Sequence, residues 1–143
     1  MHTSYNYPKQ LITEYRETVR DSIPGELPDD VRCFLNFIVE HLYDDALTVA
    51  DAINTCKIKS KNFTSRFSFY IGATPKKFIL EHRINTAKLL FQETELSVAH
   101  VSILVGFSTH SAFSKAFKSG TDGVNPSDWR GHNSRKNSRK NSG

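Results

Sequence analysis

The stretch VGFSTHSAFSKAF, residues 105–117, decides the fold because two helical patterns meet in it at a glycine. Apolar residues recur at helical spacing up to Val105, and after the glycine Phe113 and Phe117 lie four residues apart. Gly106 can adopt the left-handed conformation that a side chain makes costly. A helix, a tight turn with a glycine and a second helix form a helix-turn-helix unit, which this stretch predicts.

The unit occurs twice in the chain. Residues 62–78 and 112–129 align at an offset of 50 to 51 residues, and the aligned pairs are Phe63 with Phe113, Phe67 with Phe117, Gly72 with Gly123, Pro75 with Pro126 and Phe78 with Trp129. The helix before each turn aligns at an offset of 49, so the second copy has one extra residue in its turn region. The repeat predicts two copies of one helical unit.

A long helix is predicted between the two copies. Thr74 is suited to be its N-cap and Pro75 stands at its first helical position. Its predicted buried stripe consists of Ile84, Ala87 and Leu90 or Phe91. The predicted fold is therefore all-α, with two homeodomain-like helix-turn-helix lobes joined by a linker helix. The predicted bounds are about residues 29–74 for lobe 1, 75–92 for the linker helix and 93–130 for lobe 2.

The two ends of the chain differ from this double domain of residues 29–130. Residues 1–28 are predicted to form a short amphipathic helix followed by a linker. The apolar side of this helix consists of Leu11, Ile12, Tyr15 and Val19. Residues 131–143, GHNSRKNSRKNSG, have no apolar side chain and predict a disordered basic tail. Two interpretations of the tail stay open: an electrostatic arm for a polyanion, or an extension without a role.

Charge is unevenly distributed along the chain. Residues 1–46 hold four Lys/Arg and nine Asp/Glu, residues 47–130 hold eleven and six, and residues 131–143 hold four and none, giving −5, +5 and +4. A basic body and tail favour a polyanionic partner. The sequence shows neither an apolar run near the roughly 18 residues that span a bilayer nor a secretory signal, so a cytosolic, nucleoid-associated protein is expected and no membrane partner.

Neither catalysis nor a metal is expected from the sequence. No paired carboxylates and no pairing of a nucleophile with a base stand out, so the chain is predicted not to be an enzyme and to need no cofactor. Cys33 and Cys56 have no CxxC spacing and no neighbouring histidines. They are predicted to be small buried residues.

The second helix of a helix-turn-helix unit is the recognition helix, which enters the major groove of DNA. In the second copy the residues predicted to face outward around the buried phenylalanines are His110, Ser111, Ser114 and Lys115. In the first copy the corresponding short polar and cationic residues are Lys59, Ser60, Lys61, Thr64 and Ser65. Both copies therefore present side chains that are able to approach base edges and phosphates.

The segment RINTAKLLFQETELSVAHVSILVGFSTHSAFSKAFKSGTDGVNPSDWR, residues 83–130, resembles the C-terminal DNA-binding signature of AraC/XylS-type transcriptional regulators. The likeness lies in GFSTHSAFSKAFK, in the closing Gly-x-x-Pro-x-x-Trp-Arg, and in the linker-helix residues Arg83, Ala87, Leu89 and Leu90. It extends over about residues 31–130. It implies a bacterial promoter regulator whose recognition helices, near residues 59–69 and 108–118, enter successive major grooves on one face of double-stranded DNA.

The resemblance also implies which side chains contact DNA. The implied base-reading residues are Lys61, Thr64, Ser65, His110, Ser111, Ser114 and Lys115. The implied phosphate contacts are Lys59, Ser60, Arg66, Lys76, Lys77, Ser108, Thr109 and Lys118, together with backbone N–H groups at the start of the linker helix.

The first copy departs from the family pattern. Ile53 stands where a small alanine is usual and Lys57 where a glycine is common, so the first turn is predicted to be strained or differently packed. Ser65 takes the place of a usual basic residue, and Arg66 follows it. Residues 1–46 are too few for the sensor domain that many members carry, so no small-molecule effector pocket is implied.

Two functions of different classes are predicted. The first is a sequence-specific transcription regulator, bound as a monomer to two half-elements about one helical turn apart or as a dimer through its N-terminal helix, with RNA polymerase as a candidate partner. The second is a protein-interaction module of a regulator complex, in which the degenerate first unit no longer reads DNA. In the second case only weak binding through the tail remains, and deleting residues 131–143 abolishes it.

Overall fold

A computed structural model describes residues 7–131 of the chain. Within these residues it contains seven helices and no strand, followed by a helical turn at residues 126–131; the helices are α1 (Tyr7–Asp21), α2 (Asp29–Glu40), α3 (Val49–Thr55), α4 (Phe63–Ile71), α5 (Pro75–Glu93), α6 (Val98–Leu104) and α7 (His110–Ser119). The all-α prediction is confirmed. Apart from Gly131, the predicted basic tail lies outside the described residues.

Each lobe consists of three helices around packed aromatic rings. In lobe 1, formed by α2, α3 and α4, the rings of Phe34 and Phe63 have centroids 4.9 Å apart. In lobe 2, formed by the second half of α5 with α6 and α7, the rings of Phe91 and Phe117 have centroids 5.9 Å apart. The linker helix α5 is therefore also the first helix of lobe 2.

The linker helix begins and packs as the sequence predicts. Thr74 is its N-cap, because the Thr74 Oγ1 accepts a hydrogen bond from the Lys77 N–H at 3.2 Å, and Pro75 is its first residue. The four residues of the predicted stripe are all buried, namely Ile84, Ala87, Leu90 and Phe91. The helix thus buries one stripe along lobe 2, while Lys76 and Lys77 of its first turn are exposed.

The closing segment of lobe 2 repeats the packing seen before the linker helix. Trp129 lies against Phe117 with ring centroids 5.7 Å apart, and Phe78 lies against Phe67 at 6.1 Å. Arg130 donates hydrogen bonds to backbone carbonyls between α5 and α6, which fixes the end of the lobe. The predicted pairing of the two copies therefore extends beyond the recognition helices.

The turn of lobe 2 ends α6 with a left-handed residue. The Phe107 N–H donates to the Ser102 carbonyl at 3.0 Å and the Gly106 N–H donates to the Ile103 carbonyl at 3.1 Å, which is the Schellman pattern. Gly106 has a φ of +104°, and a Cβ built there would lie 2.9 Å from the Arg83 guanidinium. The predicted need for glycine is confirmed, and the close approach of Arg83 is a second reason for it.

The turn of lobe 1 makes the same hydrogen bonds around a lysine. The Ile58 N–H donates to the Ile53 carbonyl at 3.0 Å, and the Lys57 N–H donates to the Asn54 carbonyl at 3.2 Å. Lys57 has a φ of +55°, a conformation that costs a residue with a Cβ about 1 kcal/mol or more. The predicted strain is confirmed.

Arg83 of the linker helix connects the two lobes. Its Nε donates to the Leu42 carbonyl at 2.7 Å and its Nη2 donates to the Asp44 carbonyl at 2.9 Å, both just after α2. Its guanidinium also lies 5.6 Å from the centre of the Phe107 ring in lobe 2. Burial lowers the pKa of Arg83, but an arginine stays charged at neutral pH.

A second buried contact lies beside this one. The Tyr43 hydroxyl donates to the Thr86 Oγ1 at 2.9 Å, because the Thr86 hydroxyl itself donates to the His82 carbonyl at 2.7 Å. Burial raises the pKa of Tyr43 to about 12, so the phenol keeps its proton. The segment after α2 is therefore held to α5 by side-chain as well as backbone groups.

The N-terminal helix α1 packs across both lobes. Leu11 belongs to the buried core of lobe 2, and Val19 is also buried. In the segment after α1, Ile23 and Leu27 pack against the core of lobe 1. The apolar side of α1 through which the sequence suggests a dimer is thus in contact with its own chain.

The prediction for the two cysteines is wrong. Cys33 on α2 and Cys56 at the end of α3 form a disulfide across a separation of 23 residues, with Cα atoms 6.0 Å apart. Cys33 is exposed and Cys56 half-buried. Their spacing in sequence gives no sign of the pairing, because only the packing of α3 on α2 brings them within disulfide distance.

The strain at Lys57 gives a testable consequence. Lys57→Gly is expected to raise the free energy of unfolding by about 1 kcal/mol, because glycine adopts a left-handed conformation without a Cβ clash. Gly106→Ala is expected to lower it by about 2 kcal/mol or more, because strain adds to the contact with Arg83. Urea unfolding measures both, with Lys59→Gly as the control outside the turn. A loss of stability in Lys57→Gly contradicts the assigned strain.

The contact between α1 and α5 makes stability depend on pH. The Tyr15 hydroxyl lies 2.9 Å from the His82 Nδ1, and burial lowers the pKa of His82, so the neutral imidazole accepts this hydrogen bond. Below a pH of about 6.5 the unfolded chain binds a proton at His82 that the folded chain does not. The free energy of unfolding is therefore expected to fall as the pH drops through this value.

Thermal unfolding between pH 8 and pH 5 measures this effect. His82→Gln is expected to reduce the loss of stability on acidification, whereas His110→Gln, at an exposed position, leaves it unchanged. Identical pH profiles for the wild type and His82→Gln contradict the role of His82.

Candidate nucleic-acid interface

The second recognition helix, α7, has a buried aromatic side and a polar outer side. Phe113 and Phe117 are fully buried. The predicted base-reading residues lie on the other sides of the helix, Ser114 half-buried and the rest exposed: His110, Ser111, Ser114 and Lys115. The His110 Nε2 and the Ser114 Oγ lie 3.3 Å apart, one helical turn from each other. The structure therefore brings these four residues together on one accessible surface.

The start of α7 is defined by a side-chain cap. The Thr109 Oγ1 accepts a hydrogen bond from the Ala112 N–H at 3.1 Å, so the helix begins at His110, two residues after the predicted start. Three predicted phosphate contacts are exposed at the two ends of this helix, namely Ser108, Thr109 and Lys118.

The first recognition helix, α4, begins later than predicted. It starts at Phe63, and not near residue 59 as the sequence predicts. Asn62 at its N-terminus makes no side-chain cap, and the Ser60 Oγ donates to the Asn62 Oδ1 at 2.5 Å instead of capping a helix. Without a capping oxygen the first turn loses the stabilisation that Thr109 gives to α7.

The late start changes where the predicted residues of lobe 1 lie. Thr64 and Ser65 are exposed in the first turn of α4, as predicted. Lys59, Ser60 and Lys61 are exposed as well, but they precede the helix. Lys61 therefore approaches a partner from the turn rather than from the helix.

Arg66 does not present a free cation. Its guanidinium pairs with the Asp30 carboxylate through both terminal nitrogens, with Nη2 3.2 Å from Oδ1. The pair lowers the pKa of Asp30 through the hydrogen bonds from Arg66. The structure thus gives Arg66 a partner inside lobe 1, connecting α4 to α2, which leaves its charge less available for the predicted phosphate contact.

Three predicted DNA contacts from different elements meet at one groove. Lys76 and Lys77 in the first turn of α5 and Lys115 of α7 line a groove of about 670 Å³ between the two helices. Its lining also includes the apolar side chains of Leu80 and Phe107 and the carboxylate of Glu81. The groove therefore places positive charge from the linker helix beside the outer surface of the second recognition helix.

Phe69 is a surface residue outside the set predicted from the sequence. Its side chain is 81% exposed on α4, one helical turn after Ser65 and on the same side of the helix. A large apolar residue at an outward position of a recognition helix is able to contact a thymine methyl group. The signal was available in the sequence, since position 69 follows the outward-facing position 65 by four residues.

Two other kinds of site find no support within residues 7–131. None of the helices there is long and apolar enough to cross a membrane. In the same part of the chain, no group of three or more His, Cys, Asp or Glu side chains is placed to hold a metal ion.

A family model described as a helix-turn-helix domain matches residues 54–132, more than half of the chain. The chain belongs to the AraC-type helix-turn-helix family. The match includes both recognition helices and the linker helix, so the resemblance seen in the sequence is confirmed.

Several members of the AraC-type family are similar to this chain. The arabinose operon regulatory protein of Escherichia coli (strain K12) is 28% identical over 125 residues, and the melibiose operon regulatory protein of the same strain is 28% identical over 107 residues. The alignments cover 87% and 75% of this chain, but only 42% and 35% of those two proteins. The chain thus spans less than half of their length.

The fold is also found among solved structures. The C-terminal domain of AraT, a response regulator from Geobacillus stearothermophilus, superposes with a TM-score of 0.67 at 24% identity. The superposition covers 74% of this chain and 87% of that domain. The arrangement of two lobes around a linker helix is therefore shared with that solved domain.

Proposed function

We propose that the protein is a sequence-specific DNA-binding transcription regulator whose recognition helices α4 and α7 read two successive major-groove half-elements. The supporting observation is the repeat itself: two turns with the same hydrogen bonds each lead into a helix with a buried phenylalanine side and an exposed polar side. A recognition helix of this kind presents its first turns to base edges. Catalysis and a cofactor have no part in this function.

In the proposed complex, α7 reads bases through side chains in its first two turns. Lys115 is able to donate to the acceptor atoms of guanine, and His110, Ser111 and Ser114 offer short donors and acceptors. Small side chains let the helix backbone come close to the base pairs. The Lys115 ammonium group gives the strongest single contact of this set, because hydrogen bonds from charged donors are stronger than neutral ones.

The other recognition helix, α4, has a different chemistry. Thr64 and Ser65 offer hydroxyl groups, and Phe69 offers an apolar contact suited to a thymine methyl group. Lys61 extends from the turn before the helix. The half-element read by α4 is therefore proposed to contain thymine, and that read by α7 to contain guanine.

Phosphate contacts are proposed to fix the register of both helices. Lys76 and Lys77 stand at the start of the linker helix, where the helix dipole also favours an anion. The other proposed phosphate contacts flank the two recognition helices: Lys59, Ser60, Ser108, Thr109 and Lys118. These contacts add affinity that depends on salt and not on sequence.

A single chain is proposed to occupy the whole site. Two recognition helices in one chain need no dimer to contact two half-elements, and the apolar side of α1 packs within the chain through Leu11 and Val19. We propose a cytoplasmic, nucleoid-associated location and RNA polymerase as a partner at the promoter.

A protein-interaction module is the second candidate function. It is favoured by the uncapped start of α4 and by two exposed aromatic residues near its end, Phe69 and Tyr70, which are 81% and 42% exposed. If lobe 1 binds a protein instead of DNA, only α7 and the basic tail are left to contact DNA.

Selection from a random duplex library at near-physiological salt distinguishes the two functions. The full chain and a variant truncated after Arg130 are both expected to enrich a bipartite motif with elements about 10 base pairs apart. Enrichment of a single element, or binding that is lost on truncation, favours the interaction module.

Two substitutions test the assignment of the half-elements in the same selection. Lys115→Ala is expected to relax the preference at one element, and Phe69→Ala the thymine preference at the other, each weakening binding by about tenfold, which is a typical loss for one base contact. Lys9→Ala, at an exposed position of α1, is the control. An unchanged motif in either variant contradicts the corresponding assignment.

The salt dependence of binding tests the phosphate contacts. Lys77→Ala is expected to weaken binding to all sequences alike and to reduce the slope of log K against log salt by about one. Arg66→Ala is expected to leave this slope unchanged and to lower stability at neutral pH, because its guanidinium is paired with Asp30. A reduced slope in Arg66→Ala contradicts the internal role of Arg66.

A further inference from the structure

The disulfide of lobe 1 connects α2 to the end of α3, next to the strained first turn. Cys33 lies in α2, and Cys56 is the last residue before the left-handed Lys57. The Cys56 N–H still donates to the Ala52 carbonyl at 3.0 Å, so Cys56 closes α3. The disulfide therefore ties the start of the first turn to α2. These are both of the cysteines in the chain.

The lobe does not depend on this disulfide for its core. Its aromatic packing involves Phe34, Phe63 and Phe67, whose rings lie 4.9 to 6.1 Å apart, and neither cysteine is among the residues of this core. Cys33 is exposed and Cys56 half-buried, so a small thiol is able to reach the bond. Exposed disulfides are the ones that exchange readily.

We propose that Cys33 and Cys56 form a reversible thiol–disulfide site that reacts with low-molecular-weight disulfides and thiols of the glutathione class, and that its oxidised form holds the strained first turn in place. Disulfides in reducing compartments are usually transient and redox-sensing rather than structural. This step rests on the proposed function, because that function places the protein in the cytoplasm.

The reaction consists of two exchange steps. The Cys33 thiolate, which is the more exposed, attacks oxidised glutathione, forms a mixed disulfide and releases one glutathione thiolate. The Cys56 thiolate then attacks the Cys33 sulfur, forms the protein disulfide and releases the second glutathione thiolate. Two protein thiols lose two electrons and two protons, and one glutathione disulfide is reduced to two thiols. Reduction of the protein follows the same steps in reverse.

Reduction acts on α4 through the turn. Without the bond to α2, the turn hydrogen bonds and the packing of Ile53 and Ile58 on the core still hold Lys57 in its left-handed conformation, and they weigh against backbone strain. The turn then spends less time in the conformation that positions α4. The apparent affinity for DNA is reduced in proportion to the fraction of molecules whose turn is in this conformation. For the half-element of α4 the expected reduction is about tenfold. The turn of α7 contains Gly106 and is unaffected.

The first experiment tests the redox site on the full chain without DNA. The protein is equilibrated in glutathione redox buffers, and free thiols are trapped with a maleimide-linked polyethylene glycol. Both thiols are expected to disappear together in one reversible transition, and the oxidised form to melt about 10 °C above the reduced form. Thiols that stay reactive at every ratio, or that form only links between chains, overturn the proposal. The double variant Cys33→Ser/Cys56→Ser is expected to melt alike in all buffers.

The second experiment measures the DNA affinity of both redox forms below their melting temperatures. It uses the selected bipartite duplex and two further duplexes, in each of which one element is scrambled. Reduction is expected to weaken the intact duplex and the one that keeps the α4 element by about tenfold, and to spare the one that keeps the α7 element. In Lys57→Gly the difference between redox forms is expected to shrink, because the strain is absent. Equal affinities of the two wild-type forms overturn the effect on α4. Binding by neither form overturns the proposed function, and trapping and melting then decide the redox site alone.

Discussion

The buried guanidinium of Arg83 is the contact on which the relative placement of the two lobes depends. A side chain of similar shape but without the guanidinium cannot replace Arg83, because the guanidinium donates to two carbonyls after α2 and also packs against the Phe107 ring. Gly106 has no side chain where Arg83 passes, and a Cβ there would lie 2.9 Å from it. A buried charge is tolerated only when its donors are satisfied, so the end of lobe 1 and the turn of lobe 2 constrain each other.

The linker helix extends this constraint to the cores. Ile79 belongs to the core of lobe 1 and Ile84 to that of lobe 2, little more than one helical turn away. A helix that contributes to two cores so close together cannot bend between them without exposing apolar surface. Since α1 also packs across both lobes, the two recognition helices are held at a defined separation. A bipartite DNA site needs such a separation, because half-elements follow the helical repeat of DNA.

The helices and turns of this fold could be predicted from the sequence, whereas individual tertiary contacts between helices could not. The turn glycine and the linker stripe follow from local pattern, and the strain at Lys57 follows from the departure of the first copy from the family pattern. The pairing of Arg66 with Asp30 and of Cys33 with Cys56 depends on how α2 packs in lobe 1, which no local spacing reveals. The late start of α4 reflects a missing cap at Asn62, a competition between local hydrogen bonds that residue type alone does not decide.

The two turns have the same hydrogen bonds but different surroundings, and this explains why only one of them contains glycine. At Gly106 the neighbouring guanidinium and the left-handed backbone both exclude a side chain. Lys57 is exposed, so only the backbone opposes a side chain there, and a cost of about 1 kcal/mol is small beside the stability of a typical domain. The lobe with the strained turn is also the one that contains the disulfide. Strain and covalent bond thus act on neighbouring residues, Cys56 and Lys57, at the turn that precedes α4.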